Sequence, residues 1–185
     1  DGRHLLFNQQ AQGRFDIWVL PLEDDGAGGL RGGTPRVFLD GAAGEGLAAF
    51  SPDGTWVAYA SDESGGFEIY VRPFPGPGPR YQMSRGGIWP VWSQTRKELM
   101  YGTLEGELMV VPYTDKGGVF EPGRPRPWTA TRFAQRSSFH PFALHPDGDR
   151  VLIAPQTSDI VKTSRPVLAT RFFDQLRAIA PPKKD

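Results

Sequence analysis

FSPDGTWVAYASDESGGFEIYVRPFPGPG occupies residues 50 to 78. Pro52-Asp53-Gly54 is a turn signal, because an Asp side chain bonds backbone amides just ahead of it and Gly accepts a positive φ. A β-prone run from Thr55 to Tyr59 follows, and Asp62 to Gly66 is a second turn. Glu68 to Phe74 is a second β-prone run; Pro73 has no amide to give to a ladder and marks its end. Two such runs joined by a turn-rich stretch predict a β-hairpin.

The pattern recurs. Asp-Gly pairs stand at Asp1-Gly2, Asp53-Gly54 and Asp147-Gly148, and Ser93-Gln94-Thr95-Arg96 occupies the place of a further copy. With Thr95 as the counterpart of Asp53, the steps are 52, 42 and 52 residues. A period of about 40 to 50 residues is a signature of propellers and solenoids. After each turn the chain aligns without gaps, with Leu5, Val57, Leu99 and Val151 at one position and Phe7, Tyr59, Tyr101 and Ile153 at another. The second run recurs as Asp16 to Leu22, Glu68 to Phe74 and Glu107 to Tyr113; a last copy, Pro166 to Phe173, keeps the apolar content but loses the acid and the Pro. Weaker strands precede the turns (Leu47 to Phe50, Trp89 to Trp92, Phe142 to Leu144) and follow the Pro (Arg36 to Leu39, Tyr81 to Ser84). Each unit therefore has about four strands, apolar on both faces, as in a sheet sandwiched between neighbours. Four-stranded sheets stacked around an axis make a β-propeller. The expected organisation is all-β, with blades at about 1–45, 46–88, 89–138 and 139–175 and a C-terminal tail at 176–185.

Composition agrees. Apolar residues are 38% and aromatics 12%, enough for a core, and 23 Gly and 18 Pro among 185 residues imply many turns and few long helices. Lys+Arg and Asp+Glu balance at 21 each, which disfavours general nucleic-acid binding. The absence of Cys excludes disulfides, a thiolate nucleophile and a Cys-based zinc site. No apolar run approaches the roughly 18 residues of a membrane span, and no signal peptide is visible. A start at Asp1-Gly2 suggests a processed chain or an excised piece.

Phe50 to Gly54 followed by Trp56 to Ser61 resembles the TolB-like β-propeller repeat, and His145-Pro146-Asp147-Gly148 is a second close match. Asp62 to Gly65 with Glu68 to Pro75 resembles a narrower group, the propellers that follow the kinase domain in bacterial receptor-type serine/threonine kinases. Trp89 to Trp92, Lys97 to Tyr101, Leu108 to Pro112 and Phe172 to Leu176 fit that group too. The resemblance spans nearly the whole chain. It implies a sensor or recognition module, extracytoplasmic, with kinase activity outside these residues. Similar blades occur in free periplasmic proteins and in prolyl-oligopeptidase-type peptidases, where the propeller gates substrate. The tail Ala180 to Asp185 reads as a natural chain end, which favours the kinase reading. The first unit lacks an inner strand and the last an outer one, so a fragment of a larger propeller is expected, or two chains completing one ring.

Catalytic signals are sparse. There is no Gly-x-Ser-x-Gly elbow; Gly26-Ala27-Gly28-Gly29 lacks the Lys of a phosphate loop and reads as a flexible loop tip; no kinase motif is present. No catalytic residue, metal or cofactor is assigned. The Asp residues of the turns read as structural, and Asp16, Glu68 and Glu107 as acids that bond backbone amides. His4 opens a strand, whereas His140 and His145 read as loop residues. Arg124, Arg126, Arg132 and Arg136 lie in a long loop around Trp128, read as solvated or, more sharply, as a site for an anionic ligand or partner. Trp89, Trp92, Phe139 and Phe142 sit on or beside innermost strands and read as core rather than as ligand contacts, although the mouths of a propeller channel are where such families bind. The candidate binding residues are therefore Trp89, Trp92, Arg124, Arg126, Arg132, Phe139 and His140.

Overall fold

The computed structural model of the chain describes residues 2–11, 13–134 and 140–153. Their strands form antiparallel sheets, one per predicted unit. Unit 1 holds β1 (His4–Ala11), β2 (Arg14–Asp24), β3 (Leu30–Gly32) and β4 (Arg36–Leu39), with β1 on one side of β2 and both β3 and β4 on the other. Unit 2 is a four-stranded meander of β5 (Glu45–Phe50), β6 (Trp56–Ser61), β7 (Glu68–Pro73) and β8 (Tyr81–Gln82). Unit 3 repeats it with β9 (Ile88–Trp92), β10 (Glu98–Gly102) and β11 (Leu108–Thr114), the outer place shared by β12 (Glu121–Pro122) and β13 (Arg126–Pro127). The described part of unit 4 is β14 (Phe142–Leu144) paired with β15 (Val151–Ile153). The expected terminal strand at 166–173, the helix after it and the tail lie outside the described residues.

Strand alternation builds the stack. In β6, Trp56, Ala58 and Ala60 point one way and Val57 and Tyr59 the other, and every residue of the strand is buried. Tyr59 and Tyr70 pack with Ile17 and Leu39 of unit 1. Trp56, Ala58, Ile69 and Val71 pack with Trp92, Leu99 and Tyr101 of unit 3. Met100, Leu108 and Val110 of unit 3 pack with Phe142, and Val151 and Ile153 lean on the same cluster. The sheets of units 2 and 3 thus bury one face on the unit before and the other on the unit after, which makes the chain an all-β, propeller-type stack.

The turns work as read, with one exception. In unit 2 the Gly54 amide donates to the Ser51 carbonyl at 2.9 Å and Asp53 accepts from the Thr55 amide at 3.1 Å; unit 4 repeats this with Gly148 to His145 at 2.9 Å and Asp149 to Asp147 at 2.9 Å. Both glycines have positive φ, 72° and 76°. In unit 3 the turn closes differently: the Ser93 hydroxyl accepts from the Thr95 and Arg96 amides, and the Glu98 amide donates to the Arg96 carbonyl. The geometry at Ser93 to Arg96 therefore differs from that of the Asp-Gly turns.

Two expectations change. Gly26 to Gly29 is a tied hairpin tip, because Asp24 accepts from the Gly26 amide at 2.7 Å and Asp25 from the Ala27 and Gly29 amides at 2.8 and 2.9 Å. The stretch around Arg126 is not a purely solvated loop, since β13 pairs with β11 there. The short strands β3, β12 and β13 were hidden because two- and three-residue pairings leave no alternation to read.

Candidate functional site

The inner strands of units 2 and 3 share an unusual device. Leu47 in β5 has φ 54° and Trp89 in β9 has φ 58°, the only positive-φ residues other than Gly among those described. They stand 42 residues apart, the same step that separates Asp53 from Thr95. Each sits where the register slips: β5 against β6 between Gly46 and Ala49, β9 against β10 between Met100 and Gly102. A left-handed backbone at a bulky residue costs roughly 1–3 kcal/mol and persists only where packing holds it. Leu47 is held between the two clusters on either side of unit 3, and the buried Trp89 ring lies edge-on to Phe133 at 6.1 Å. The bulges re-aim the starting ends of both inner strands.

Those ends line a cleft of about 610 Å³. Its walls are Leu47, Ile88 and Trp89, the β1–β2 turn with Phe15, and Phe67 just before β7. Phe15 is 50% and Phe67 40% exposed, so the rim is apolar and open. Asn8, Arg14, Glu45 and Asp62 supply the polar groups. Glu45 is only 6% exposed; it accepts from the Gly41 amide at 3.3 Å. Burial raises its pKa; the Gly41 amide and Arg72 pull it back, and Asp16 and Glu63 push it further up. Asp62 accepts from the Gly44 amide at 2.8 Å, fixing the loop that leads into β5. The size suits a ligand site, with mostly apolar walls and a few placed polar groups.

The sequence-selected residues divide. Trp89 lies in the cleft wall. Trp92 is core, its Nε1 donating to the Ala49 carbonyl at 3.0 Å and its ring edge-on to Tyr113. Arg124 is exposed between β12 and β13. Arg126 pairs with Glu98 at 3.2 Å, and Arg132 with Glu107 at 2.7 Å and the Glu105 carbonyl at 3.1 Å. His140 is exposed ahead of β14. Phe139 and Arg136 lie outside the described residues. The three arginines and His140 line no part of the cleft. Its polar members Glu45 and Asp62 were missed in sequence. The one available signal was Glu45 beside Gly44 and Gly46, where the other inner strands have no acid.

The repeat acids have diverged. Glu68 accepts from the Ser84 hydroxyl at 2.7 Å and the Gly86 amide at 2.8 Å, tying the segment that leads to unit 3. Glu107 takes Arg132 instead, and Asp16 stands 3.7 Å from Arg14.

No family model matches the chain, and no curated protein does. Among solved structures it is similar to a protein assigned as TolB from Agrobacterium tumefaciens, at 17% identity and a TM-score of 0.49, over 68% of this chain and 46% of that one. It is also similar to TolB from Acinetobacter baumannii, at 18% identity and a TM-score of 0.46, over 84% of this chain and 41% of that one. The matched part spans less than half of either structure.

Proposed function

We propose that the chain is a non-catalytic recognition module that binds its ligand in the cleft at the starting ends of β5 and β9. The observation that carries this reading is the pair of strained, repeat-equivalent residues Leu47 and Trp89 in one cleft wall. Strain kept at the same place in two units has no role in the turns and costs stability. The walls suit an apolar side chain, and Glu45 suits a hydrogen-bond donor beside it. A protein segment carrying both is the ligand class that fits. The resemblance of Asp62 to Pro75 to the propellers behind bacterial receptor-type kinases supports a sensor role in such a protein; a free periplasmic scaffold is the alternative. No helix among the described residues is long and apolar enough to cross a membrane.

The test is a peptide panel titrated into the ¹⁵N-labelled chain. Amide shifts at Glu45 to Leu47 and Ile88 to Trp89 are expected for binders, weakened several-fold by Glu45→Gln and by Phe67→Ala but not by Arg124→Ala. Shifts confined to Arg124 to Arg132 would move the site to the basic segment and overturn the proposal.

A further inference from the structure

Four Asp-Gly pairs stand among the described residues, at Asp25-Gly26, Asp40-Gly41, Asp53-Gly54 and Asp147-Gly148. In such a pair the next backbone nitrogen can attack the side-chain carboxyl, and Gly has no Cβ to hinder the approach. Three of the pairs are tied. Asp25 accepts from the Ala27 and Gly29 amides at 2.8 and 2.9 Å. Asp53 accepts from the Ser51 and Thr55 hydroxyls at 2.6 and 2.8 Å and from the Thr55 amide at 3.1 Å. Asp147 accepts from the Asp149 amide at 2.9 Å and from Arg150 Nε at 2.7 Å. Such bonds favour the ionised carboxylate, which is a poor electrophile, and hold its oxygens to other donors. Asp40 differs. It is exposed, and among the described residues its carboxylate accepts no hydrogen bond and joins no ion pair. The Gly41 amide donates to Glu45 at 3.3 Å, so the proton that the nitrogen must lose already points at a carboxylate. Gly26 also donates to a carboxylate, that of Asp24 at 2.7 Å, but its neighbour Asp25 is tied; the Gly54 and Gly148 amides donate to carbonyls. Glu45 is 6% exposed, and burial makes it a stronger base than a solvated glutamate.

We propose that Asp40-Gly41 is a self-modification site, at which the chain converts Asp40 to isoaspartate through a succinimide with Glu45 as the proton acceptor. The Gly41 nitrogen bonds to Cγ of Asp40 in its protonated form, and the nitrogen's proton passes to Glu45. The Cγ–OH bond breaks and the departing hydroxide takes that proton, so one water leaves and a succinimide ring remains. Solvent water then opens the ring. Attack at the main-chain carbonyl leaves Gly41 joined through Cγ, which is isoaspartate; attack at Cγ restores Asp40. Isoaspartate adds a main-chain carbon to the segment that joins β4 of unit 1 to β5 of unit 2. Ala42 and Gly44 of that segment line the cleft, so the modification reshapes a cleft wall. The chemistry needs only the residues named and solvent, and it does not depend on what the cleft binds.

The test is to age the full chain at neutral pH for several weeks and to map isoaspartate by proteolysis and labelling with an isoaspartyl methyltransferase. Isoaspartate at Asp40 should reach roughly tenfold or more the level at Asp25, Asp53 or Asp147, the factor that losing one or two hydrogen bonds to a tied carboxylate sets. In concentrated denaturant the four sites should age at similar rates, because the fold alone distinguishes them. Glu45→Gln should slow the native reaction at Asp40 several-fold and leave the denatured rate unchanged. Asp40→Glu should abolish it, since the larger ring closes far more slowly. No isoaspartate at Asp40, or no more than at the tied pairs, would overturn the proposal, as would a preference for Asp40 that survives in denaturant. A native rate in Glu45→Gln equal to that of the parent chain would overturn it too, by removing Glu45 from the reaction.

Discussion

Asp53 illustrates how much one turn residue carries. Burial works against its charge, but the Ser51 and Thr55 hydroxyls, the Thr55 amide and nearby Lys97 outweigh burial and hold the carboxyl at about 2. A depressed folded pKa stabilises the fold above the unfolded value near 3.9, and that contribution is lost as the pH falls toward 2. Asp53→Asn should therefore lower the melting temperature at pH 7 and flatten its fall between about pH 4 and pH 2; an unchanged acid limb by calorimetry would refute this. At Gly148 two constraints coincide. Its φ is 76°, and an added Cβ would stand 2.4 Å from the Thr95 hydroxyl, which bonds the Asp147 carbonyl. Gly148→Ala is expected to cost more than about 1 kcal/mol in denaturant titration, and Thr95→Ser to change little. The odd turn at Ser93 to Arg96 gains meaning here, because Thr95 and Arg96 reach the turn of unit 4, Arg96 by an ion pair to Asp149.

At the scale of elements, the interface between units 2 and 3 is an aromatic knot. Phe120 is 1% exposed, stacks on Tyr113 at 4.9 Å and meets the rings of Trp56, Tyr81 and Trp92. Phe120→Ala should destabilise by about 3–5 kcal/mol in chemical denaturation, since a cavity among several rings cannot collapse. Trp92→Phe keeps most of the packing but leaves the Ala49 carbonyl without its donor, for an expected loss of about 1–3 kcal/mol. These strands were legible in sequence because apolar residues fill both faces; Pro73 ends β7 as read, but β2 runs past Pro21 to Asp24 and β11 past Pro112 to Thr114, where each gains a further short pairing strand. The bulges at Leu47 and Trp89 were not legible, because nothing in Gly-Leu-Ala or Ile-Trp-Pro marks a left-handed backbone at a bulky residue; packing from both neighbouring units imposes it.

Across the whole molecule the units contact their neighbours in series, as in other repeat architectures where stability is a sum of local terms. Units 2 and 3 are covered on both faces, while the outward face of unit 1 leaves Leu5 and Val37 substantially exposed. Native-state hydrogen exchange should show β6 and β10 amides exchanging last and the amides of β1, in the less covered unit, earlier. Equal protection of β1 and β6 would contradict a serial stack.

The repeat, the turn chemistry and the strand order were written in the sequence, because period, alternation and the Asp-Gly and Pro signals are local properties of the chain. Trp89 could be selected there as well, from its place on an inner strand. The cleft could not, since Phe15, Glu45, Asp62 and Trp89 come from four separate segments and meet only when three sheets stack. The surroundings of the arginines were likewise hidden in the sequence. Their basic run is conspicuous in one dimension, but in three Arg126 and Arg132 face the carboxylates of Glu98 and Glu107. Local periodicity determines which strands form, and the packing of sheet on sheet alone decides which side chains share a site.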